Sequence, residues 1–265
     1  MNESAIRLLR EGAIARLHIN RPERRNAVTG EMMAEIERLA RAFATDTHTR
    51  VVLVTAEGRD FSVGADLSEP RVPSGDGAPT LLARLRQAEL GAAMMRALME
   101  IPQPTIALMK GVATGAGACI ASACDFRLAS DTARAGYGEV KLGINLMWRA
   151  LPLCTHLVGP ARAKRMIMTG QLFPAPVLKE WGFVDEVVAE ESLVASGEAW
   201  AAQYAALPPI AVQMIKRSVN AVSTALDAAI MHMDTDQWML ASQTEDFREG
   251  VTAFFEKRPP VFRGR

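Results

Sequence analysis

The chain has 265 residues, 49% of them hydrophobic, which is enough apolar matter for one large domain, or a domain with an appendage. Its 30 basic and 30 acidic residues cancel, so overall charge gives no reason to expect nucleic-acid or membrane binding. Cys119, Cys124 and Cys154 are too few for a disulfide framework or a four-thiolate zinc site and fit a reducing compartment, so a cytoplasmic location is expected.

The elements come in a regular order. Residues 13–19 alternate loosely and read as a strand, followed by a polar, proline-broken loop from Asn20 to Ala27. Met32, Ile36, Leu39, Ala40 and Phe43 share one helical face behind Thr29 as N-cap. Val51–Thr55 is the continuously apolar kind of strand that is buried on both faces. A glycine turn, Val63-Gly64-Ala65-Asp66, closes the loop after it. Residues 68–80 carry three prolines and two glycines and read as a mobile loop. A helix is expected from about Thr80 to Glu100, then a strand at 105–109.

The next stretch, Lys110 to Asp125, turns through glycine into very small residues and reads as a buried helix, with a strand after it at 126–129. Two further helices end at Gly170 and Gly182, and a strand spans 183–188. Beyond Ser192 only helices are expected, the last from Thr244 to Lys257 with acidic residues in its first turn and Lys257 at its end. The chain is therefore read as α/β over residues 1–190, with a helical region over 191–265.

Familiar catalytic signatures are absent: no Gly-x-Ser-x-Gly, no Walker loop and no His-Glu-x-x-His. No metal site is expected from the four scattered histidines. Gly115-Ala116-Gly117 after a strand is half of a dinucleotide fingerprint, but Ile120 fills the third small position. Taken together, the turns at Gly64 and Gly115 are either two unrelated tight turns or two N–H donors aimed at one oxygen. Glu139 lies among glycines and apolar residues and reads as a solvated loop carboxylate or as an acid/base in an apolar pocket.

Five motifs in order carry a resemblance: Asn20-Arg21-Pro22 with Asn26-Ala27, Phe61 to Leu67, Lys110 to Asp125, Gly182 to Val187, and Phe254 to Phe262. On these the chain resembles the enoyl-CoA hydratase/isomerase (crotonase) family over nearly its whole length. The resemblance implies a spiral of ββα units, C-terminal helices that build trimers or paired trimers, and a coenzyme A thioester as substrate, with no separate cofactor. It implies an oxyanion hole from the N–H groups of Ala65 and Ala116, where the family usually has glycine at the second position. Hydratases of the family use two glutamates. One falls on Glu139, and the other falls on Cys119, which reads as packing within the small-residue helix.

With one glutamate, double-bond isomerisation is the simplest reaction. Hydration is the rival, and a non-catalytic acyl-CoA binder is the third reading. For substrate contacts, the resemblance points to Ala27, Gly115, Cys119 and Leu142, and to Val63, Asp66 and Leu67 near the adenine. Arg24 or Arg25, with Lys257 of a neighbouring subunit, would meet phosphate. Downstream of Glu139 the family's glycine-rich segment is replaced by bulky residues, so Met147 and Trp148 are expected at the acyl pocket, with Asn145 as a hydrogen-bonding group. The loop at 68–80 is expected to close over the substrate.

Overall fold

The computed structural model describes residues 4–68 and 79–265. Nine strands are present among them: β1 (Ile6–Glu11), β2 (Ile14–Ile19), β3 (Val51–Ala56), β4 (Thr105–Met109), β5 (Val112–Thr114), β6 (Phe126–Ser130), β7 (Arg134–Gly136), β8 (Phe173–Pro174) and β9 (Glu186–Val188). The larger sheet runs β1-β2-β3-β4-β6-β9, parallel except for the β1–β2 hairpin at Gly12. The smaller sheet runs β5-β7-β8. The expected mobile loop at 68–80 falls almost wholly outside the described residues.

Helices among the described residues are α1 (Gly30–Ala42), α2 (Leu81–Met99), α3 (Ala116–Ala123), α4 (Ala150–Val158), α5 (Pro160–Thr169), α6 (Ala175–Trp181), α7 (Leu193–Ala205), α8 (Pro209–Ser223), α9 (Ala228–Met231), α10 (Asp234–Ala241) and α11 (Glu245–Glu256). α1 forms as its pattern predicts. The Thr29 side chain accepts from the Met32 N–H, and Met32, Met33, Ile36, Leu39 and Ala40 are buried. Each large apolar side chain contributes roughly 1.5–3 kcal/mol on leaving water.

The larger sheet is buried on both faces, which explains the unbroken apolar runs of β3 and β4. One face packs into the main core with α1, α2 and α3. The other is covered by Leu193 and Ala201 of α7, against Val51, Leu53, Ile106, Leu108 and Leu128. The helix that begins just past residue 190 is thus a layer of the sheet's own core.

Three features escaped the sequence pattern. β5, β7 and β8 are two or three residues long, too short for a period to register. β5 also lies between β4 and α3, so the glycine turn at 115 follows β5 and not β4. α4 begins at a left-handed residue, Arg149 (φ 63°), which no start signal announces. Strand 183–188 narrows to Glu186–Val188; just before it, the Asp185 carboxylate accepts the Arg127 N–H and the Asp185 N–H donates to the Arg127 carbonyl.

The loop from Asn20 to Ala27 is organised by one fully buried side chain. Asn26 donates to the carbonyls of Glu57 and Asp60, at 2.8 and 2.7 Å, and accepts from the Arg21 N–H at 2.8 Å. It does so at φ 57°, a conformation asparagine tolerates better than most residues. Asn26→Ala should leave three backbone groups without this partner, the Asp60 carbonyl among them buried, and destabilise the protein by about 2 kcal/mol, measured by urea unfolding. A loss under about 0.5 kcal/mol would contradict this role.

Candidate functional site

Two glycine turns meet at the floor of a cavity of about 430 Å³. They are joined by a short parallel bridge, Ser62 with Ala113, in which the Ser62 N–H donates to Val112 and the Thr114 N–H donates to Ser62. Gly64 (φ 109°) and Gly115 (φ 51°) sit in conformations that side chains disfavour. A methyl group on Gly115 would lie 3.4 Å from the Gly64 Cα and 3.4 Å from Glu139 Oε1. The glycines therefore allow backbone, backbone and carboxylate to converge.

Each turn has one N–H on a residue that lines the cavity. Val28 bonds the Gly64 carbonyl and the Asp66 N–H, so the intervening Ala65 N–H lies on the opposite side of that strand, where Ala65 lines the cavity. Ala116 is the first residue of α3, ahead of the intrahelical ladder that starts with Cys119 bonding Gly115. Two N–H groups beside a helix N-terminus suit an oxygen that gains negative charge.

The cavity is lined by Glu139, Ala65, Ala116, Arg24, Ala27, Val63, Asp66, Leu67, Gly115, Leu142 and Trp148, all of them expected from the sequence. Three expected residues lie elsewhere. Arg25 is held by Asp60 at 2.8 Å beside a separate cavity of about 150 Å³, and its carbonyl accepts the Val63 N–H. Cys119 is 1% exposed, turned into the core. Burial pushes its thiol well above the ordinary range, and the negative field of Glu139 adds to that. Such a thiol stays protonated, and Cys119 does not line the cavity. Lys257 ends α11 in a left-handed conformation outside this chain's own cavity. Asn145 also turns away, donating to Gln237 of α10 at 3.1 Å.

Lys141, Ile144, Met147, Phe254 and Phe255 line the cavity as well. Of these only Met147 was expected there. The two phenylalanines arrive on α11, over 100 residues downstream, and α11 is brought in by Gly250 packing on Leu142. Arg21 was missed for the same reason. Its guanidinium bonds Asp66 Oδ2 at 2.7 Å and the Ala27 carbonyl at 2.9 Å, pinning both lining segments.

Asp66 and Glu139 are the carboxylates among the described lining residues. Burial alone would raise the Asp66 carboxyl. The Ser68 hydroxyl, the Arg21 guanidinium and the Ser68 N–H outweigh it and hold the group at about 2. Asp66 therefore stays ionised near neutrality and is a poor proton carrier. Because its native value is depressed, its stabilising contribution is present above about pH 4 and lost as pH falls toward 2. Among the described residues no group of three or more His, Cys, Asp or Glu is placed to hold a metal, and no helix is long and apolar enough to cross a membrane.

Comparison with known proteins agrees with this architecture. The family model described as enoyl-CoA hydratase/isomerase matches residues 10–265. A 1,2-epoxyphenylacetyl-CoA isomerase of Escherichia coli is 31% identical over 96% of this chain and 97% of its own. A crotonyl-CoA hydratase of Syntrophomonas wolfei is 32% identical over 96% of each chain. The crystal structure of an enoyl-CoA hydratase from Mycobacterium avium subsp. paratuberculosis superposes with a TM-score of 0.87 at 27% identity, covering 98% of this chain and 99% of that one. The chain belongs to the enoyl-CoA hydratase/isomerase family and has the crotonase fold.

The convergence of the turns can be tested directly. A methyl group on Gly117 would lie 2.5 Å from the Ser62 carbonyl oxygen, so Gly117→Ala must push α3 away from the 62–65 turn. We expect a stability loss of about 1–3 kcal/mol by thermal unfolding. At a temperature where the variant remains folded, acyl-CoA turnover should drop at least tenfold. Unchanged turnover would mean that the spacing of the two N–H groups is not critical.

Proposed function

We propose that this member of the family is an enoyl-CoA isomerase that moves a double bond along an acyl thioester with Glu139 as its one acid/base. The observation that carries the proposal is the unequal pair of carboxylates in the cavity: Asp66 is locked ionised by Arg21 and Ser68, and Glu139 stands against Gly115 beside the two N–H groups. In the proposed reaction the thioester carbonyl oxygen sits between the N–H groups of Ala65 and Ala116. Glu139 takes a proton from the carbon next to the carbonyl of a 3-enoyl thioester. The electrons delocalise onto the oxygen as a dienolate, which the two donors stabilise, each typically worth ~3 kcal/mol. Glu139 then returns the proton to the far carbon, giving the conjugated 2-enoyl thioester.

Hydration is the second reading, and the S. wolfei relative named as a hydratase favours it. It needs a water held by two acid/base groups, and the position where a second glutamate would stand is Cys119, buried and high in pKa. The coenzyme A portion would lie along Arg24, Ala27, Val63 and Leu67, with Lys141 as a further cation. A phosphate contact from Lys257 of a neighbouring subunit is part of the proposal. So is assembly into trimers or paired trimers, which would cover the exposed Ile210, Met214, Ile215, Val219 and Val222 of α8. Buried reduced thiols favour the cytoplasm as its location.

The conjugated-thioester absorbance decides between these readings. With 3-enoyl-CoA it should rise, and Glu139→Gln should slow that rise about 10²–10⁴-fold while acyl-CoA affinity changes little. Loss of absorbance from 2-enoyl-CoA with formation of a hydroxyacyl product would make the protein a hydratase. Equal rates in wild type and variant would remove Glu139 from the chemistry.

A further inference from the structure

The cavity ends where α2 begins. Its walls come from the loops around residues 24–27 and 63–68, the β5–α3 junction, the 138–148 segment, Gly170, Leu172 and α11, and no residue of α2 is among them. Trp148 stands between. It lines the cavity on one side, and on the other its indole lies over Gly91 in the middle of α2. A Cβ built at Gly91 would lie 2.1 Å from the indole. Glycine in a helix interior is disfavoured, and here its missing side chain is the space the indole occupies.

The indole is held in this seat by strained backbone. Trp148 and Arg149 both have left-handed conformations, at φ 59° and 63°, which residues of this size seldom adopt. One contact that over-determines them is a buried carboxylate: Asp234, at the start of α10, accepts the Arg149 N–H at 2.7 Å. Trp238 and Met239 of the same helix pack in one cluster with Met147 and Trp148. Leu142, Ile144 and Met147, between Glu139 and this tryptophan, give the cavity its apolar stretch, which suits an acyl chain.

We infer that Trp148, seated on Gly91 and held by the Asp234–Arg149 bond, is the end wall of the acyl subsite and restricts the enzyme to short acyl thioesters. This rests on the reading of the cavity as an acyl-CoA site. Asp234 is a positioning residue in this scheme, acting through Arg149 and the strained turn. Trp148 sets specificity. Replacing the ring with a smaller side chain should let the cavity run on to α2, and adding a methyl group at Gly91 should drive the ring into the cavity.

Binding of the saturated esters butyryl-CoA and lauroyl-CoA, measured by isothermal titration calorimetry on the full chain, separates the possibilities. Wild type should prefer butyryl-CoA by about tenfold or more, the discrimination a closed apolar pocket gives. Trp148→Leu should shift the butyryl-to-lauroyl affinity ratio toward lauroyl-CoA by about tenfold. Gly91→Ala should weaken butyryl-CoA about tenfold, and adding Trp148→Leu to it should restore binding. Asp234→Ala should relax the preference, whereas Asp234→Asn, which keeps an acceptor oxygen for the Arg149 N–H, should retain it. If Trp148→Leu does not fold, Gly91→Ala and the Asp234 pair carry the test. A butyryl-to-lauroyl ratio unmoved by the variants that fold overturns the inference. Failure of wild type to bind either ester overturns the acyl-CoA reading beneath it.

Discussion

The site depends on two stretches of backbone touching. The 62–65 turn and the start of α3 can approach only because Gly64, Gly115 and Gly117 carry no side chain at the contact. Everything around them serves that approach. The Ser62–Ala113 bridge sets the register, Asn26 ties its own loop to Glu57 and Asp60, and Arg21 pins Asp66 and Ala27. Backbone donors held in this way do not reorganise when charge develops on a bound oxygen, which is why preorganised N–H groups act more strongly in a dry site than in water.

A second constraint is electrostatic. A cavity with one carboxylate clamped by an arginine and a serine, and another beside the donors, divides the work between them. Asp66 is part of the scaffold, because a group held at about 2 does not trade protons near neutrality. Behind Glu139 lie Cys119, Tyr137 and Cys154, all buried, and burial holds the Cys119 thiol protonated. This asymmetry favours a proton shuttle over the addition of water, on a fold whose relatives are named for both reactions.

Much of this was legible in the sequence, and the limits have physical causes. The turns at Gly64 and Gly115 and the isolated Glu139 stand out because glycine and an acid among apolar residues are local signals. From the residues, the two turns could be unrelated or could face one oxygen; in the fold β5, too short to show a period, carries the second turn to the first. Arg25 and Cys119, expected as substrate contacts, do not line the cavity, because each side chain has an alternative that only folding reveals, Asp60 for one and the core for the other. Phe254 and Phe255 in the cavity, Arg21 on Asp66 and Trp148 over Gly91 join segments 45 residues or more apart. No local pattern encodes such pairings.

The central claim is that one carboxylate moves a proton and no water is added. Incubating the protein with a 3-enoyl-CoA in water enriched in ¹⁸O and weighing the products by mass spectrometry tests it most directly. The account predicts a 2-enoyl thioester with no ¹⁸O incorporated. A product heavier by one molecule of labelled water, formed at a rate that matches consumption of the substrate, would contradict it.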